Sequence, residues 1–173
     1  MKICQRKYIE WALIGIGTLM LFLFFFRILP YHLFHREQTL LFLCTTETVA
    51  DYLKHPAALA CLSGDFLTQY FYYEGAGPAI MAGVLLLWGM VVFLLLLPYM
   101  GRWVWLPTVL AVFWEGGRQC GLAYPLSGTI ALIGIGGVLL LCRNCLQRSW
   151  KTGLPLSVLL VVSGYGLFGY GHW

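Results

Sequence analysis

The chain has 173 residues, of which 60% are hydrophobic and 10% charged, with a formal net charge of +4 and a mean hydropathy of +0.79. Soluble domains carry about 25% charged residues, so an ordinary soluble globule is excluded and an all-α, polytopic transmembrane bundle is expected. Nucleic acid is not an expected partner: the basic residues stand in short groups at the ends of apolar runs, with no basic tract, zinc-finger spacing or aromatic-basic groove pattern.

The first apolar run covers about 8–29, preceded by Lys2, Arg6 and Lys7 and closed by Arg27 and Pro30. It is longer than the apolar stretch of a secretory signal and ends in Phe22, Phe24, Phe25 and Phe26, so it reads as a retained transmembrane helix. Further spans are expected at about 76–97, 103–123, 124–142 and 154–170, five in all. The third is short, because Glu115, Gly116, Gly117 and Arg118 interrupt it. Basic residues divide seven to four if the N-terminus is inside: Lys2, Arg6, Lys7, Arg102, Arg143, Arg148 and Lys151 against Arg27, Arg36, Lys54 and Arg118. That asymmetry predicts a bacterial inner-membrane protein with its N-terminus inside and its C-terminus outside. Trp103 and Trp105, and the run Tyr70, Phe71, Tyr72 and Tyr73, sit where interfacial aromatic belts belong.

The segment 31–74 is the only long hydrophilic stretch and becomes an extracytoplasmic loop with structure of its own. Glu47, Asp51 and Lys54 share one helical face, Phe42, Val49 and Leu53 lie close to another, and Pro56 stops the pattern, which predicts a helix lying in the membrane interface. Asp65 is expected as the N-cap of a second such helix over 66–73. Six of the seven acids fall outside, all but Glu10.

Two polar groups are candidates for chemistry. His32, His35, Arg36, Glu37 and Gln38 follow span one and offer ligands for a divalent metal or an anionic headgroup, or are simply wet side chains at a helix end. Glu115 and Arg118, with Gly116 and Gly117 between them, either line a polar site or contact each other in a turn. Cys142 and Cys145 form a CxxC that lacks the second pair of a zinc site and reads as a helix-end coincidence. Gly75, Ala79 and Gly83, together with Gly134, Gly136, Gly137, Gly164, Gly166, Gly169 and Gly171, predict close helix packing. Spans one, two, four and five carry no acid or base at their middles, which weakens ion-coupled transport.

The stretches His32 to Leu43 (HLFHREQTLLFL), Ser63 to Tyr73 (SGDFLTQYFYY) and Glu115 to Gly128 (EGGRQCGLAYPLSG) resemble an uncharacterised family of polytopic inner-membrane proteins from Bacteroidota. Members of that family run well beyond five spans, so the resemblance implies an N-terminal module or a truncated member. The layout is also similar to the membrane half of GT-C type glycosyltransferases, in which acids occupy the start of the first outer loop and the loop between spans three and four. That likeness, by position alone, implies Glu37 as catalytic base, Arg36 and Arg118 as contacts to a polyprenyl-phosphate lipid, and Glu115 and His35 as ligands of a divalent metal. The other expectation is a non-catalytic scaffold or transport-associated subunit that docks other membrane helices. Enzyme and scaffold both stand open at this point.

Overall fold

The computed structural model describes the backbone of residues 2–29, 45–121, 124–148 and 150–169, and side chains within 15–29, 45–121, 124–147 and 153–169. Among these residues the secondary structure is helical throughout. Seven α-helices are described among them, in chain order: α1 (Lys2–Arg27), α2 (Thr46–Leu53), α3 (Ala58–Thr68), α4 (Ala76–Met100), α5 (Trp105–Gln119), α6 (Leu126–Arg148) and α7 (Trp150–Phe168). Single 3-10 turns over Gln69–Tyr72 and Gly101–Val104 lead into α4 and α5. Each of the five apolar runs coincides with a helix. By length and apolarity, two helical stretches suffice to cross a membrane, Ala76–Gln119 and Leu126–Gln147, while Gly15–Arg27 and Gly153–Phe168 are shorter apolar helices.

The stretch Ala76–Gln119 is a hairpin. Pro98 lies in the last turn of α4, and Gly101 then takes φ +50 and ψ −114, a left-handed conformation that glycine enters at little cost. The chain reverses there. Phe93 meets Trp105 at a ring-centroid distance of 4.9 Å, and Trp88 Nε1 donates to the Ala111 carbonyl at 3.4 Å, so α5 runs back along α4. A third helix, α6, lies against α4 in the same direction as α4. A Cβ built on Gly136 would stand 2.3 Å from Val91 Cγ1, and Arg143 reaches the final turns of α4. Antiparallel to α6 comes α7, where Gly164 admits Val138 and Gly134 admits the Phe168 ring.

Much of the small-residue pattern is therefore filled from within the chain. By contrast, a Cβ on Gly83, Gly137 or Gly166 would meet nothing within 4 Å.

Pro98 also explains an arginine that the sequence marked only as a flanking charge. Proline has no N–H, so the Leu94 carbonyl four residues earlier loses its helical donor. Arg143 Nη1 supplies one from α6, donating to the Leu94 oxygen at 2.9 Å and the Leu95 oxygen at 3.4 Å. Its Nε is enclosed without a partner among the described residues. Arg143→Leu should cost about 1 to 2 kcal/mol by orphaning that carbonyl. In a Pro98→Ala background, which restores the helical N–H, the same change should cost about 1 kcal/mol less. Melting temperatures of the four proteins in detergent measure the difference, and strict additivity would disprove the link.

The core lies at the end of the bundle away from the Gly101 turn. Phe25 of α1 packs there with Phe71, Met81, Val84, Leu85 and Leu126. Against this end sits α3, whose Ala60 and Cys61 join Ala131 of α6, with Phe168 of α7 packed alongside. At Gly64 the two backbones nearly touch: a Cβ there would lie 2.7 Å from the Ser127 nitrogen. The segment expected only to lie on the membrane interface thus includes a helix wedged into the bundle.

Two local expectations fare differently. A helix does form over Thr46–Leu53, with Thr45 capping it by accepting from the Thr48 N–H, an exposed Asp51–Lys54 pair at 2.7 Å and no buried residue. Phe42, expected near the face of Val49 and Leu53, lies outside the described residues. Asp65, expected to cap a helix beginning at 66, instead sits inside α3, because the apolar run 57–61 starts that helix earlier. There its carboxylate accepts a hydrogen bond from the Tyr52 hydroxyl at 2.5 Å, tying α2 to α3.

These two aspartates respond to pH with opposite signs. The hydrogen bond and charge of Lys54 hold Asp51 below the usual carboxylate range, so its small contribution exists above that range and is lost as pH falls. Burial pushes Asp65 up against the Tyr52 hydrogen bond. The folded chain then binds that proton more tightly than the unfolded one, so α3 docking is firmest in acid and loosens as pH rises through the folded value. Asp65→Asn should abolish this second trend, read as amide-exchange protection in α3 at about pH 4 and about pH 7. An unchanged trend in the variant would refute the assignment.

Candidate functional site

The sequence brings Glu115, Arg118 and Gln119 onto one face of α5 by their spacings of three and four. The helix runs unbroken through Gly116 and Gly117, so the expected turn at these glycines is absent, and the chain leaves the helix at Cys120 and Gly121. Facing this last turn are Tyr124, in the connection, and Thr129, in the first turn of α6.

Glu115 is 1% exposed. Its Oε1 accepts from the Tyr124 hydroxyl at 2.7 Å and from Thr129 Oγ1 at 2.7 Å. Arg118 Nη1 lies 3.6 Å from Oε2, and the guanidinium carbon stands 4.1 Å over the Tyr124 ring. Gln119, also buried, donates from Nε2 to Thr129 Oγ1. Tyr124 folds back over Gly128, where a Cβ would come 2.8 Å from its hydroxyl oxygen. The result is a closed chain of polar groups, Gln119 to Thr129 to Glu115 to Tyr124, with Arg118 as its partly open lid. Two hydroxyl donors and the neighbouring guanidinium hold this buried carboxylate in one geometry.

Of the residues singled out from sequence, the structure unites Glu115 and Arg118. His35, Arg36 and Glu37, with His32 and Gln38, lie outside the described residues. Among the described residues no group of three or more His, Cys, Asp or Glu side chains could hold a metal ion. Within this set Glu115 is engaged by hydroxyls and a guanidinium, and no second acid or histidine stands beside it. Sequence reasoning missed Gln119, Tyr124 and Thr129. Gln119 was available from its i,i+4 relation to Glu115, whereas Tyr124 and Thr129 lie across a connection that periodicity does not describe. Cys142 is buried on α6 and donates through Sγ to the Ser157 carbonyl at 3.6 Å, a packing contact between α6 and α7.

Fold and site together define an all-helical protein with a carboxylate-centred polar lock joining α5 to α6. A family of unknown function, DUF6057, matches residues 4–173, and the chain belongs to it. No curated protein and no solved structure matches the chain.

Proposed function

We propose that the chain is a multi-pass membrane scaffold, with α1, α4, α5, α6 and α7 as five spans, which docks other membrane helices rather than catalysing a reaction. The enclosure of Glu115 carries this choice. The acid that a transferase would need at this place is 1% exposed and has both oxygens engaged within the chain. Membrane embedding is supported by the outward faces: Phe113 is 71%, Trp114 74% and Val162 68% exposed, and patches of this kind mark contact with lipid or protein. At 15 residues α5 is about 22 Å long, short of the hydrocarbon core, and local thinning of the bilayer accommodates such a span. The orientation, N-terminus inside with the Glu115 cluster outside a bacterial inner membrane, rests on the distribution of basic residues.

The test uses the open glycines. Because a Cβ on Gly83 or Gly137 meets nothing within 4 Å, Gly83→Leu or Gly137→Leu should leave the fold intact and shrink the complex extracted from native membranes, as seen on a native gel. Glu115→Gln should leave its size unchanged. The reverse ordering would overturn the scaffold.

One observation favours the second reading, a GT-C-like transferase using a polyprenyl-phosphate-linked sugar on the outer side. Arg118 remains 39% exposed beside the site and is open to a phosphate. Glu37 would then be the base, with Arg36 a further phosphate contact and His35 and Glu115 metal ligands. Loss of lipid-linked sugar turnover in Arg118→Ala, with melting temperature unchanged, would establish that reading over the scaffold.

A further inference from the structure

The turn of the α4–α5 hairpin carries a feature that neither the polar lock nor helix docking uses. Arg102, Trp103, Trp105, Leu106 and Val109 line an open groove of about 340 Å³ at this turn, its walls almost entirely apolar. Val104, 1% exposed, pins the 3-10 turn against the bundle, and Phe93 packs beneath Trp105. Trp103, by contrast, is 74% exposed. Arg102 makes no hydrogen bond or ion pair with another described residue. From Gly75 to Trp173 the sequence contains one acid, Glu115. That acid lies at the opposite end of α5, close to Arg118. Basic residues meanwhile accumulate at the end of Arg102, with Arg143 on α6 and, in sequence, Arg148 and Lys151 at the α6–α7 junction.

A cation at the rim, two indoles at interfacial depth and an aliphatic floor match the order of chemistry along one molecule: phosphate, glycerol backbone, acyl chain. We propose that this groove binds an anionic phospholipid, with Arg102 on the headgroup phosphate, Trp103 and Trp105 flanking the glycerol region, and Leu106 and Val109 against an acyl chain. The inference rests on the membrane reading above. Charge complementarity selects the occupant, since a zwitterionic lipid brings its own cation to a site that already has one.

Native mass spectrometry of the full chain, purified in detergent and offered equal phosphatidylglycerol and phosphatidylcholine, tests it. Wild type should retain phosphatidylglycerol about fivefold over phosphatidylcholine, the preference expected from one arginine at a charged surface. Arg102→Ala should bring the ratio close to one, and Arg102→Lys should keep most of it. Glycerophosphoglycerol, the same headgroup without acyl chains, should not compete. Equal retention of both lipids, an unchanged ratio in Arg102→Ala, full competition by the chain-free headgroup, or a dimer that forms through Trp103 and excludes lipid would each overturn the proposal. Alkaline carbonate extraction separates the two levels. A chain released into the supernatant fails the membrane reading, whereas a chain that stays in the pellet without lipid preference fails this one.

Discussion

Glu115→Ala is expected to lower the unfolding free energy by about 3 kcal/mol, because it leaves the hydroxyls of Tyr124 and Thr129 buried without their acceptor. Arg118 adds little to the loss, since its guanidinium is partly solvated and keeps the Tyr124 ring. For a chain of this length the change corresponds to a drop of about 6 to 12 °C in melting temperature. Glu115→Gln retains an oxygen for the two hydroxyls and loses only the charge toward Arg118, so about 1 kcal/mol should go. The ordering matters more than either number. A catalytic or metal-holding glutamate predicts that Ala and Gln are equally damaging to activity and nearly neutral for stability. A lock predicts graded melting temperatures, and thermal scans of three proteins in one detergent decide between them.

Gly64→Leu should do comparable harm for a different reason. The atoms that a Cβ would strike are the nitrogen and Cα of Ser127, at 2.7 and 2.8 Å, and backbone cannot rotate out of the way. Helices α3 and α6 must separate, opening the small cluster of Ala57, Ala60, Cys61 and Ala131. Overpacking of this kind costs about 3 kcal/mol, and even Gly64→Ala should show part of it. Gly83→Leu is the control: it adds the same bulk where nothing stands within 4 Å and exchanges glycine for a better helix former, a gain of up to about 1 kcal/mol. Equal melting of the Gly64 variants and wild type would remove the α3–α6 contact from the account.

The sequence made the helical class and the apolar runs plain, because runs this long have few other structures open to them. It also placed α2, where charge spacing and Pro56 after it agree. It misplaced Asp65, since a carboxylate before an apolar-aromatic run looks like a cap whether or not the helix has already begun about two turns earlier at Ala58. For the site, the Glu115–Arg118 contact could be read from a spacing of three, but not its helical setting. Two glycines in a row suggested a break, yet the helix continues through them to Gln119. Nor does linear sequence announce that Arg143 serves a carbonyl on another helix, because its partner is a backbone atom made available by a proline 45 positions away.

That arginine sets an order of events at the ribosome. The α4–α5 hairpin is translated whole before α6 exists, and the Leu94 carbonyl freed by Pro98 must wait for a donor 49 residues downstream. At about 5 to 20 residues per second the wait is about 2 to 10 seconds. For that interval the hairpin lacks its Arg143 donor, and the arrival of α6 supplies it. Assembly thus has a direction built into the chain: the hairpin comes first and incomplete, and the helix that follows is the one that finishes it.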